Sequence, residues 1–288
     1  YINNQDGTFK ESIEEYLTEI SMGSMGADMA DINNDSYPEI FVSEMLPERH
    51  DRRVSKAVFD SWDKYQLSIS QGYFNQFNRN VLQLNNADGS FSEISRITGV
   101  DATDWSWGAL IFDMDNDGLK DIFVANGIYK DLLDQDYVNF LANPSIISNM
   151  IKSEQEPIKK LIDMIPTESV GNYAYKNNGD LSFSDVSSKF GLNTPSFSNG
   201  SAYSDLDNDG DLDLVINNVN MPASIYRNNS KSNWISFSFS SDGLNTFGIG
   251  NKLYIYVNGG VQYQELSPMR GFQSSVDYRL YFGLDTIK

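Results

Sequence analysis

The stretch FDMDNDGLKDIFVANG, Phe112 to Gly127, sets carboxylates at Asp113, Asp115, Asp117 and Asp121 and then runs straight into apolar residues. Like charges held this close repel, and a folded chain keeps them together most readily around a cation. Counted from the first aspartate, oxygen side chains fall at positions one, three, five and nine, with Gly118 at six. The pattern recurs as Asp205, Asp207, Asp209 and Asp213, with Gly210 at six and an additional Asp211 at seven. A weaker copy reads Asp31, Asn33, Asp35 and Glu39, with Ser36 in place of the glycine. Alternate side chains on a curled loop can converge on one point, and glycine supplies the backbone freedom of the turn. The remaining ligand is then the carbonyl at position seven, from Tyr37, Leu119 or Asp211.

Oxygen donors in an irregular loop suit Ca²⁺, which accepts six to eight ligands, better than Mg²⁺, which demands a strict octahedron. The expectation is two well-formed Ca²⁺ sites, in the second and third loops, and a weaker one in the first. An EF-hand shares this opening but requires glutamate at position twelve. Here that position is Val42, Val124 or Ile216, each inside an apolar run, so the loop belongs to a β-hairpin. The competing reading is that Asp-Asn-Asp-Gly clusters are good turn formers on a solvated surface; copies in register through position nine argue against it.

The elements that position these loops are legible as a repeat. A second motif, an Asn-Asn turn, recurs in INNQDGTFKE from Ile2, LNNADGSFSE from Leu84 and KNNGDLSFSD from Lys176, with a degenerate copy, YRNNS, at Tyr226. Asn3 to Asp31, Asn85 to Asp113 and Asn177 to Asp205 each span 28 residues, which argues for one structural unit. The distance from one Asn-Asn turn to the next varies, 82, 92 and then 51 residues. The surplus must therefore enter between an acidic loop and the following turn, as insertions at about residues 46–78 and 128–170 whose sequences read as helical or irregular. The bare unit has room for four short strands, the signature of a propeller blade; a parallel solenoid or a β-sandwich fits the repeat less well. The predicted fold class is all-β, propeller blades with helical insertions over residues 1–230, followed by a small β domain over 231–288.

Composition narrows the function. A formal charge of −19, from 40 acidic against 21 basic residues, excludes nucleic acid and anionic membrane surfaces as expected partners. No run of apolar residues is long enough to insert in a membrane. The absence of cysteine removes disulfides and thiolate chemistry, and one histidine, His50, makes a serine triad or histidine-ligated zinc site hard to assemble. No catalytic residue is assigned.

On these motifs the chain resembles the FG-GAP or VCBS repeats of integrin α-subunit propellers and secreted bacterial proteins, over most of Tyr1 to Ser230. Gly248-Ile249-Gly250, Gly259-Gly260, Gly271-Phe272-Gln273-Ser274-Ser275 and Phe282-Gly283-Leu284 resemble the ASPIC/UnbV domain of cartilage acidic protein and its bacterial relatives. The insertions are similar to those of large surface proteins of Bacteroidota, often outer-membrane lipoproteins. The resemblance implies a propeller of about seven blades, calcium in the loops named, an extracellular or cell-surface location, and further blades supplied by a longer parent chain.

The function expected is a non-catalytic, calcium-binding scaffold for protein or glycan adhesion. Phe59, Trp62, Tyr65, Tyr73, Phe74, Phe77, Tyr129, Tyr137 and Phe140, in and near the insertions, are read either as a sugar-stacking platform or as packing. Trp105 and Trp107 are read as one core residue and one contact residue. The alternative is a glycan-active enzyme resembling calcium-dependent polysaccharide lyases, which would need an open calcium site among basic residues such as Arg49, Arg52, Arg53, Lys56 and Arg79.

Overall fold

The computed structural model describes residues 1–56 and 61–287; Phe59 lies outside the described residues. Three antiparallel sheets repeat one another. The first lays Ala27–Ala30, Glu39–Val42, Val81–Asn85 and Phe91–Glu93 side by side in that order, and the second does the same with Ser106–Phe112, Asp121–Asn126, Tyr173–Asn177 and Phe183–Asp185. The third has Ser198–Ser204, Asp213–Asn218 and Ser224–Tyr226. A hairpin of Ile2–Asn3 and Phe9–Lys10 repeats the outer pair of a blade. These are the propeller-like blades expected.

The register is the same in each. The residue before position one of the acidic loop pairs with the residue at position nine: Ala30 with Glu39, Phe112 with Asp121 and Ser204 with Asp213. Successive strands are antiparallel, so the acidic loops and the Asn-Asn turns share one rim and the connection between second and third strands lies at the opposite rim. Blades pack face to face, which is why Asp121–Asn126 is buried along its whole length and its sequence is apolar on both sides. Phe41, Leu82, Ile111 and Ile122 fill the space between the first two blades, and Leu110, Phe123, Leu214 and Ile216 that between the second and third.

Both insertions leave from the connection between second and third strands, as the repeat arithmetic requires. The first contributes helices His50–Lys56 and Trp62–Ser70, the second Gln135–Leu141, Pro144–Ser153 and Pro157–Asp163. Their starts are locally encoded: the side chains of Ser61, Asp134 and Asn143 cap the backbone N–H groups of Lys64, Tyr137 and Ile146, and prolines open the last two helices. A buried ion network joins the insertions. Arg52 grips Asp104 through Nε and Nη2 at 2.6 and 2.7 Å and Glu168 through Nη1 at 2.7 Å, while Lys56 meets Asp134 at 2.5 Å. Trp105, just before the strand, and Trp107, within it, are both half-buried, with their rings 6.2 Å apart; the division into core and contact residue does not hold.

The C-terminal strands pair as Asn233–Ser238 with Arg279–Asp285, Lys252–Val257 with Gly260–Glu265, and Met269–Arg270 with Ser274–Ser275, the last hairpin lying on the inner strands Ala27–Ala30 and Ser198–Ser204. Gly271 exchanges backbone hydrogen bonds with Ala27, Arg270 Nη1 meets Asp28 at 2.8 Å, and the Phe272 ring lies 5.0 Å from Trp107. Val276 and Tyr281 enter the core between the second and third blades.

Candidate metal loops

All three acidic loops adopt one conformation, dictated by their own side chains. The position-one carboxylate accepts from the backbone N–H of positions five and six: Asp31 from Asp35 and Ser36, Asp113 from Asp117 and Gly118, Asp205 from Asp209 and Gly210, over 2.9–3.2 Å. Positions four and six are left-handed, Asn116 and Gly118 at φ 59° and 91°, which asparagine and glycine tolerate; Ser36 at φ 73° shows what the first loop gives up.

The loops bring together the carboxylates at positions one, three and five. One oxygen from each of Asp113, Asp115 and Asp117 lies within 4.8 Å of the others, and so do those of Asp205, Asp207 and Asp209. In the first loop position three is Asn33, whose Nδ2 donates to Asp35 at 2.8 Å, so this loop offers one carboxylate fewer at positions one, three and five. The carboxylates at position nine stand outside the clusters. Asp121 accepts from Met114 N–H at position two and from Asn177 N–H, Asp213 from Leu206 and Asn228, and Glu39 from Ile32 and Asn85. Position nine therefore braces the loop against the Asn-Asn turn. At position seven Tyr37 is exposed and Leu119 half-buried, whereas Asp211 is buried.

The same groups lace neighbouring blades. Asn34 and Asn116, at position four, donate to the carbonyls of Gly118 and Gly210, at position six of the next loop, each at 3.1 Å. Asn177 donates to Lys120 O in its own blade and to Ile32 O in the preceding one; Asn228 repeats this with Leu212 O and Met114 O.

The residues present fit a hard divalent cation. Asp115 Oδ1 and both oxygens of Asp211 are buried without a hydrogen-bond partner among the described residues, an arrangement that costs free energy until a cation meets it. Burial pushes Asp113 up to about 6, Glu39 up to about 8 and, with Asp209 beside it, Asp211 up to about 7. Two residues not singled out in the sequence complete the picture. Lys176 Nζ contacts Asp115 and, at 2.6 Å, Asp117, and Arg227 reaches Asp207 at 2.7 Å. Both immediately precede an Asn-Asn turn, where the first blade has Leu84; that alignment was the signal available. The basic residues of the first insertion are elsewhere: Arg52 and Lys56 are buried in the network above, and Arg79 meets Glu19 at 2.5 Å and Glu93 at 3.2 Å.

The C-terminal strands cover the same rim. Gly283 backs onto Asp113 and Asn116, Asp285 N–H donates to Asn116 O, and the Trp234 indole lies on Gly210, where an added Cβ would fall 1.6 Å from the ring.

A family model described as FG-GAP-like repeat matches residues 1–42 and 68–124, and one described as ASPIC and UnbV matches residues 241–288. The third loop lies beyond the first match yet repeats its geometry. No curated protein matches the chain significantly.

Proposed function

We propose that this chain, built from FG-GAP-like repeats and carrying an ASPIC and UnbV domain at its C-terminal end, is a calcium-stabilised, non-catalytic scaffold that engages a protein or glycan outside the cell or at its surface. The observation that carries the reading is the convergence of the carboxylates at positions one, three and five in two loops of identical conformation, with buried carboxylate oxygens left unpartnered. Ca²⁺ would be held by Asp113, Asp115 and Asp117 and by Asp205, Asp207 and Asp209, and its binding free energy would add to folding stability. Loops of this kind bind over a micromolar to millimolar range, which fits occupancy outside a cell.

The opposite rim supplies the contact surface. Trp62, 71% exposed, heads a groove with Tyr65, Phe74 and Phe77, and Ile146, Ile151, Ile158 and Ile162 are exposed on the helices of the second insertion. Apolar side chains displayed this way mark a binding surface more readily than a solvated one. No helix among the described residues is long and apolar enough to cross a membrane.

The test is a titration of the thermal unfolding midpoint with Ca²⁺, with Mg²⁺ in parallel and with Asp117→Ala and Asp209→Ala. A rise of several degrees with Ca²⁺ alone, reduced in each variant, is expected. A wild-type midpoint indifferent to Ca²⁺ rejects the proposal.

A further inference from the structure

A cavity of about 310 Å³ lies where the inner strands of the three blades meet the C-terminal strands, away from the insertion helices. Small-molecule pockets span about 300–1,000 Å³ and favour such junctions, so this one has room for a single ring and not for a chain. Lys120, at position eight of the second loop, lines it at 4% exposure, and its Nζ has no hydrogen-bond partner among the described residues. A buried amine in this state is a donor awaiting an acceptor. Tyr203 from the third blade and Tyr263 and Tyr281 from the C-terminal strands supply ring surface.

The charges select the ligand. Arg270 is closed by Asp28 and Arg279 by Asp277, each at 2.8 Å. Beyond these pairs, the lining offers Lys120 as donor, with Asp31 and Asp113, each already accepting two loop N–H groups, and Glu265, which meets Lys252 at 3.7 Å, as the remaining carboxylates. The surplus of carboxylate opposes an anion, and Lys120 opposes a cation. Hydroxyl groups both donate and accept, and a flat ring satisfies the tyrosines.

We propose that the cavity binds one neutral, hydroxyl-rich ring the size of a single sugar unit, with Lys120 donating to a ligand oxygen. This site is separate from the insertion rim and does not rest on what that rim binds. The mouth carries Met29 and Met269, the latter 80% exposed.

Saturation-transfer NMR and calorimetry on the full chain, with glucose, galactose and mannose against glucuronate and glucosamine, test the proposal. A neutral sugar should bind, the charged analogues more weakly, and Lys120→Met and Met269→Trp should each weaken binding at least tenfold. Because Met269 is exposed, Met269→Trp narrows the mouth without disturbing the core and decides the matter if Lys120→Met fails to fold. Absence of binding by all three neutral sugars, preference for a charged analogue, or binding unchanged in Met269→Trp overturns the proposal and leaves a water-filled junction.

Discussion

Replacing Lys176 by leucine, the residue at the equivalent place in the first blade, should strengthen calcium binding by the second loop. The ammonium contacts Asp115 and Asp117, two of the three converging carboxylates, with a side chain 28% exposed. A divalent ion entering that cluster must displace it. Two partly exposed ion contacts are together worth about 1–2 kcal/mol after solvent screening, so their removal should tighten Kd by about 5- to 30-fold. Without metal the sign reverses, since Asp115 and Asp117 lose their salt-bridge partner among the described residues, and the melting midpoint should fall by a few degrees. Isothermal titration calorimetry on the wild type, Lys176→Leu and the charge-preserving Lys176→Arg separates these effects. An affinity unchanged or weaker in a folded Lys176→Leu protein would refute the idea that the ammonium stands where the ion binds.

Three further outcomes follow from the packing. Glu39, Asp211 and Asp113, raised to about 8, 7 and 6 by burial, bind more protons folded than unfolded; their contribution is complete below the unfolded carboxylate range and is lost as pH rises through about 6–8. The metal-free midpoint should therefore drop from about pH 5 to about pH 8.5, and saturating Ca²⁺ should remove the part of the drop due to Asp113, the one of the three among the converging ligands; a metal-free rise across that window contradicts the burial argument. Gly283→Ala would place Cβ 2.2 Å from Asp113 Oδ2 and 2.4 Å from the Asn116 carbonyl carbon, costing about 1–3 kcal/mol and weakening calcium uptake; wild-type values for both in denaturant and calcium titrations would show that the strand does not rest on the loop. Arg52→Ala strands buried Asp104, while Asp131 keeps Lys56 at 3.4 Å, and should cost about 3–5 kcal/mol, read as a lowered denaturation midpoint and faster proteolysis of the insertions; unchanged stability would mean that the network is not a tie.

The blades and their metal loops were legible in the sequence because their chemistry is local. A carboxylate that captures N–H groups four and five residues on, and an asparagine that tolerates a left-handed turn, specify the loop within ten residues, and repetition turns a turn-forming cluster into a pattern. The Asn-Asn spacing was legible as arithmetic but not as mechanism: only the structure shows Asn177 bridging Ile32 and Lys120. What escaped are the contacts between residues far apart in the chain. Lys120, at position eight of a loop, and Lys176, before an Asn-Asn turn, have different places in the repeat, yet that one is buried and the other covers a carboxylate cluster depends on packing between blades. The packing of Gly283 and Trp234 on the loops depends on how the C-terminal strands fold back, and so does the environment of Trp107, whose ring lies against Trp105 and the distant Phe272.

The separation of the two rims divides the labour of the sequence. On one, hydrogen bonds tie each loop to the next, so a one-residue deletion between an Asn-Asn turn and the following aspartate would be felt in two blades at once. On the other, a segment of arbitrary length leaves and returns between paired strands without touching that lacing; the third blade crosses directly from Asn218 to Ser224. New recognition surfaces can thus be spliced in at Val42–Val81 or Asn126–Tyr173 while the blade itself is kept, which makes those junctions the natural grafting points for exchanging one loop repertoire for another.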